Sequence, residues 1–150
     1  MLDYNWVNQR LAVGAGISNR EDMEALCAAG ITNIISMRLE VDDRKFRDGR
    51  SLLAVGCLWL PQVDDGSPRD PRQILEGIEY ALEALKIMGS KVYVHCATGT
   101  NRGPTQCYAI LRAMGFDQPA AIRMIREARP QVNFHNVPSY IDSVNAVIGA

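Results

Sequence analysis

The sequence predicts an α/β fold: a single domain (residues 1–150) with a central, mostly parallel sheet of four to five strands flanked by helices. Three observations predict it. Short apolar, β-branched runs recur along the first two thirds of the chain, each closed by Gly, Pro or Asp-rich segments. Stretches of helical periodicity separate these runs and then dominate the last third, an order that suits parallel strands covered by helices. The 150 residues, 47% hydrophobic and 22% charged, are ordinary for a globular domain able to bury a core without disulfides or metal.

In chain order, Leu11-Ala12-Val13 reads as a short strand ending at Gly14 and Gly16. Ser18-Asn19-Arg20-Glu21 reads as a capping box, with Ser18 at the N-cap and Glu21 reaching back. The helix it opens runs through Met23, Leu26 and Cys27 and stops at Gly30. Ile31 to Met37 is a buried strand. Arg38 to Arg50, polar and mixed in charge, is a loop with some helix. Val55 to Leu60 is another strand, followed by the loop Pro61 to Arg69. Asp70 caps and Pro71 begins the clearest helix, with Ile74, Ile78, Ala81, Leu82 and Leu85 on one face. Gly89 ends it, and the strand Lys91 to His95 delivers Cys96. Three more helical patterns follow: Thr105 to Met114, Pro119 to Arg129 and Pro138 to Ile148.

Composition removes several classes of function. A net charge of −1 gives no reason to expect nucleic acid or an anionic membrane as partner. No basic-then-apolar leader is visible, and no apolar run nears the roughly 18 residues of a membrane span. Four scattered cysteines without a C-x-x-C fit reduced thiols in the cytoplasm. Two histidines, His95 and His135, make no zinc motif, so neither metal nor cofactor is expected.

The chemistry lies in Val92-Tyr93-Val94-His95-Cys96-Ala97-Thr98-Gly99-Thr100-Asn101-Arg102. A strand, a tight loop and a helix start together make a ring of backbone amides at the positive end of a helix dipole. A cysteine at its lip is placed to become a thiolate. An arginine six positions on can grip an anion with two parallel hydrogen bonds. Spacing alone is weak, because thirteen arginines make one such match somewhere about a one-in-three accident. The other cysteines lack it: Asn33, Val63 and Ala113 lie six places after Cys27, Cys57 and Cys107. Only Cys96 has the strand, the glycine and the helix as well.

His95-Cys96-x5-Arg102 after a Val-rich strand, with an Asp-Gly loop about thirty residues upstream, closely resembles the cysteine-dependent dual-specificity phosphatases of the protein tyrosine phosphatase superfamily. The opening from Leu11 through Gly30-Ile31-Thr32-Asn33 and the closing Arg129-Pro130 are similar to that catalytic domain as well. The resemblance implies a phosphomonoester hydrolase in which Cys96 is the nucleophile and forms a phosphocysteine. It implies that Arg102 and the amides of Ala97, Thr98, Gly99, Thr100 and Asn101 bind phosphate, while His95 buttresses the loop. It also implies an acid from Gln62-Val63-Asp64-Asp65-Gly66. Asp65 is the favoured general acid by its Asp-Gly pairing, and Asp64 is the alternative. The expected partner is a phosphorylated protein or small phosphomonoester, met by a monomer.

Two departures matter. Gly103 stands where the family often has Ser or Thr to stabilise the departing thiolate, with Thr105 two positions on. That predicts slow breakdown of the intermediate and keeps alive a second reading, an inactive phosphate-binding module. The loop interior holds no lysine, which weighs against highly phosphorylated inositols. Arg69 and Arg72 are candidate substrate contacts or solvated charges. A rhodanese-type sulfurtransferase is a third reading, disfavoured because it has no use for an Asp-Gly acid loop. Cys57 or Cys107 is a conceivable disulfide partner of Cys96, though buried packing is the expectation for both.

Overall fold

A computed structural model describes residues 1–43 and 55–149. It contains a mixed five-stranded sheet and five α-helices, the expected α/β architecture. The strands are β1 (Tyr4–Trp6), β2 (Leu11–Gly14), β3 (Asn33–Arg38), β4 (Gly56–Gln62) and β5 (Val92–His95), in the spatial order β1-β2-β5-β3-β4. Only the β1–β2 pair is antiparallel. The helices are α1 (Arg20–Ala28), α2 (Pro71–Leu85), α3 (Arg102–Ala113), α4 (Gln118–Ala128) and α5 (Pro138–Ile148).

Alternation along the strands sorts the core into two layers. Leu11, Val13, Ile35, Met37, Val92 and Val94 face α2 to α5. Ala12, Ile34 and Tyr93 face the other way, onto Ile17, Met23 and Leu26 around α1. β5 lies between β2 and β3, so its carboxyl end opens at the middle of the sheet, where open α/β sheets place their ligands. Among the described residues, no helix is long and apolar enough to cross a membrane.

Four local readings are corrected. β1 carries no sequence signal, being three half-buried residues at an edge. The N-cap of α1 is Asn19, not Ser18. Its side chain accepts from the Asp22 amide (2.8 Å), and Asp22 rather than Glu21 reaches back, to the Ser18 amide (2.9 Å). β4 runs through Pro61 to Gln62, which an edge strand tolerates because one side of its ladder is unpaired. α3 begins at Arg102 instead of Thr105, since Pro104 fits the first helical turn, where no amide donor is needed. The loop read from Arg38 to Arg50 lies outside the described residues beyond Asp43.

Candidate active site

Cys96 follows the last residue of β5 and is nearly covered, at 2% exposure. The loop after it is fastened from behind through its carbonyls. The Gly16 amide donates to Ala97 O (3.0 Å) and the amides of Asn133 and Phe134 donate to Thr100 O (2.8 and 3.2 Å). Arg129 donates to Thr98 O through Nη2 and to Gly99 O through Nε (both 2.8 Å). Thr105 donates to Asn101 O through both its amide (3.0 Å) and its hydroxyl (2.8 Å). Among the described residues, the amides of Ala97 to Arg102 donate to no protein acceptor. With the carbonyls bound outward and the amides left unbound at the start of α3, the loop is a concave donor set suited to an oxyanion.

Gly99 makes this turn possible. Its φ of +72° is the left-handed region, and a Cβ there would lie 2.5 Å from Gly14 O and 2.8 Å from Gly14 Cα. Arg129, which braces the loop, is itself fully buried. Its guanidinium pairs with both oxygens of Asp3 (2.9 Å each) and with Asn5 Oδ1 (3.0 Å). The Arg129 hydrogen bonds hold the Asp3 carboxyl below its ordinary value against the opposing effect of burial.

Arg102 is 7% exposed and folds back over the loop. Its Nη1 donates to Gln62 O (2.8 Å) and to Glu40 Oε1 (2.9 Å), while Nε is buried without a partner. One edge of the guanidinium is therefore anchored and the Nε edge is left for a ligand, the arrangement a bidentate grip on two phosphoryl oxygens needs. Burial alone would raise the Glu40 carboxyl. The Arg102 hydrogen bond, its own backbone amide and the charges of Arg102 and Arg38 outweigh that and lower it.

Next to Cys96, His95 is wholly buried, stacked on the Tyr93 ring (centroids 5.3 Å apart). Its Nδ1 lies 3.2 Å from Cys96 O and its Nε2 bonds to Asp43 Oδ2. Asp43 also accepts from Arg38 Nη2 (3.0 Å), which donates to Ile17 O as well (2.7 Å). Neither Asp43 nor Glu40 is singled out by sequence. Both lie in a polar, mixed-charge stretch, and their partners are 52 and 62 residues away.

The loop after β4 brings the two aspartates into different settings. Asp64 Oδ1 accepts from the Tyr140 hydroxyl (2.6 Å) and Oδ2 from Asn101 Nδ2 (3.3 Å), which ties this loop to the Cys96 loop. Asp65 Oδ1 accepts from the hydroxyl and amide of Ser67 (2.6 and 3.0 Å) and from Arg69 Nη2 (3.1 Å). The Ser67 bonds, with the Arg69 charge in support, hold the Asp65 carboxyl below its ordinary value. The residue is half exposed and nothing described donates to its Oδ2. Arg69 is not a solvated charge. It is 6% exposed, lies 4.3 Å over the Tyr140 ring, and donates to Val63 O (2.7 Å) and Ser67 O (2.8 Å) as well as Asp65. Arg72 is exposed.

At the start of α3, a Cβ on Gly103 would meet His95 C at 3.1 Å and Cys96 N at 3.2 Å, so glycine lets the helix close on β5. The Thr105 hydroxyl is engaged by Asn101 O. Cys107 is fully buried, and burial pushes its thiol far up, as expected of a packing residue.

The family model described as Swiss Army Knife protein, DSP-PTPase phosphatase domain, matches residues 3–139. No curated protein matches the sequence significantly. Among solved structures, PTPMT1 in complex with PI(5)P superposes with a TM-score of 0.82 at 20% identity, covering 97% of this chain and 94% of that one. The human tyrosine phosphatase-like serine/threonine/tyrosine-interacting protein gives 0.79 at 20%, covering 97% and 95%. Human DUSP28 gives 0.74 at 19%, covering 96% and 91%. At these identities the structural likenesses establish the fold.

Proposed function

The chain belongs to the DSP-PTPase phosphatase domain family, and from that premise we propose that it hydrolyses phosphomonoesters through a phosphocysteine on Cys96. The single observation that carries this reading is the Cys96–Arg102 loop, its carbonyls bound outward and the Nε edge of Arg102 unpartnered beside it. Such donors favour the trigonal, charge-spread phosphoryl group of the transition state over the ground state.

In the first step the Cys96 thiolate attacks phosphorus, the bond from phosphorus to the leaving oxygen breaks, and an aspartic acid gives that oxygen its proton. In the second, water attacks phosphorus, sulfur leaves as thiolate, and the aspartate takes the water's proton. Asp65 remains the acid of choice. Both oxygens of Asp64 accept hydrogen bonds that hold the loop in place, whereas Asp65 keeps Oδ2 open. The lowered Asp65 carboxyl is the ionised form that the second step uses as base. The first step requires release of its Ser67 bonds, with a bound phosphate dianion then favouring the protonated carboxyl. The substrate class is a phosphorylated protein or a small phosphomonoester.

The test is p-nitrophenyl phosphate hydrolysis with mass spectrometry of acid-quenched enzyme. Wild type is expected to show phosphate on Cys96 and activity insensitive to EDTA, with Cys96→Ser inactive. Activity retained in Cys96→Ser overturns the reading, and thiosulfate-to-cyanide transfer in its place selects the sulfurtransferase. Gly103 and the engaged Thr105 hydroxyl favour one second reading, a slow or inactive module that captures phosphate esters. Tight phosphotyrosine-peptide binding without turnover by wild type would select it.

A further inference from the structure

We propose that Asp43 is a positioning residue that holds His95 as an imidazolium next to Cys96, so that the site carries a fixed positive charge at neutral pH. The proposal rests on Cys96 being the nucleophile and extends that reading to a residue outside the phosphate loop.

The argument is one of donors and acceptors. His95 Nδ1 faces Cys96 O, a carbonyl that only accepts. Nε2 faces Asp43 Oδ2, and the other oxygen of Asp43 pairs with the Arg38 guanidinium through Nη2 at 3.0 Å. A neutral imidazole has one N–H and one lone pair, so it would set a lone pair against an oxygen lone pair on one side or the other. With His95 at 0% and Asp43 at 2% exposure, no bulk water relieves that clash. Two protons on the ring satisfy both contacts.

The resulting row, Arg38 cation, Asp43 anion and His95 cation, sums to one positive charge against the Cys96 backbone. The groups facing His95 are few among the described residues. β3 supplies uncharged Ser36 opposite it and Arg38 through Asp43, its own strand supplies Tyr93 and Cys96, and β2 supplies uncharged Gly14. α3 meets it at Gly103, next to Arg102. The Tyr93 hydroxyl is turned away, donating to Ala15 O. Among the described residues, Asp43 is the carboxylate that contacts the ring.

Asp43→Asn separates charge from shape, because asparagine can still accept from a neutral His95 through Nε2–H. The measurement is the pH dependence of Cys96 alkylation by iodoacetamide, followed site by site by mass spectrometry, which needs no turnover. Asp43→Asn is expected to slow alkylation about tenfold at pH values below the wild-type midpoint, moving the midpoint up about one pH unit. The rate at high pH should be unchanged. In wild type, imidazole ¹⁵N resonances of His95 should report both nitrogens protonated from pH 5 to 8, a reading that requires no variant to fold. An unshifted alkylation profile in folded Asp43→Asn overturns the proposal, as does a neutral His95 at pH 7. If instead Cys96→Ser remains an active phosphatase, the nucleophile assignment fails, a separate outcome.

Discussion

The two loops at the candidate site are fastened in different ways. Behind Cys96, the carbonyls of Ala97 to Thr100 are held by donors from elsewhere in the fold, several of them buried, with Arg129 supplying two, and Asn101 O is held by Thr105 in the first turn of α3. The loop from Val63 to Pro68 is itself exposed and is held by a few side chains: Tyr140 to Asp64 and Gly66, Ser139 to Gly66 O, and the buried Arg69, whose own amide donates to Ser143. Displacing the first loop leaves buried carbonyls without donors, at about 1–3 kcal/mol each. Displacing the second mostly exchanges half-exposed bonds for water. Under the proposed function, a firmly held cradle beside a more weakly held acid loop suits a carboxyl that must approach, withdraw and let product leave.

The contrast breaks most sharply at Gly99. Gly99→Ala forces a side chain into the left-handed region and against Gly14. A loss of about 1–3 kcal/mol of stability is expected, with at least about a 100-fold fall in kcat/KM as the amides lose their aim. Urea unfolding and p-nitrophenyl phosphate kinetics check both. An active, stable Gly99→Ala would show that the loop is not fastened as described.

Tyr140→Phe tests the other loop and should separate activity from stability. It removes the hydroxyl that donates to Asp64 and accepts from the Gly66 amide. Thermal stability should change by less than about 1 kcal/mol. kcat on a phosphopeptide should fall about tenfold, a fraction of what general acid catalysis supplies. With p-nitrophenyl phosphate the fall should be smaller, since p-nitrophenolate leaves without much help from an acid. Equal losses on both substrates would mean that Tyr140 serves binding instead.

A pH titration sharpens the comparison further. Asp3 and Asp65 both lie below the ordinary carboxylate range, the first through Arg129 and the second chiefly through Ser67. A depressed carboxyl contributes stability that is present above its unfolded value and lost as pH falls through the folded one. Melting temperature should therefore drop between about pH 4 and pH 2. Asp3→Asn should flatten that drop while costing less than about 1 kcal/mol at pH 7, because Asp3 is 63% exposed. Asp65→Asn, on the loosely held loop, should leave the curve nearly unchanged.

The same contrast explains what could be read from sequence. The Cys96 loop is contiguous: strand, six residues and helix follow one another, so spacing and context reveal it. α2 was legible for a similar reason, with cap, proline and apolar stripe within fifteen residues. The setting of Asp64 depends on Tyr140, more than seventy residues away, while Asp65 is held by its neighbours Ser67 and Arg69, and no sequence pattern assigns those settings to two adjacent aspartates. Asp43 was invisible because nothing local separates it from Asp42, and only folding places it against His95. Arg69 looked like a surface charge because it follows a polar turn, yet the ring of Tyr140 covers it. At α1, Ser18 and Asn19 are both good caps by residue type, and Asn19 is the one whose side chain accepts from the Asp22 amide.

The smallest expected effect is at Gly103, where two magnitudes oppose each other. A serine hydroxyl donating to the departing Cys96 thiolate could contribute about 1.5–3 kcal/mol to breakdown of the phosphocysteine. Its Cβ, however, would press on the backbone of His95 and Cys96 at 3.1–3.2 Å, and crowding of a packed position costs about 1–3 kcal/mol. The net gain in the slow step of Gly103→Ser should therefore be only a few-fold. Rapid-quench kinetics of wild type should show a burst of p-nitrophenol followed by slower turnover, since neither Gly103 nor the engaged Thr105 hydroxyl assists the thiolate. The variant should keep the burst rate and raise the steady-state rate slightly. A wild type without a burst would place the slow step before phosphocysteine forms, and the acid loop rather than the Cys96 loop would then limit the enzyme.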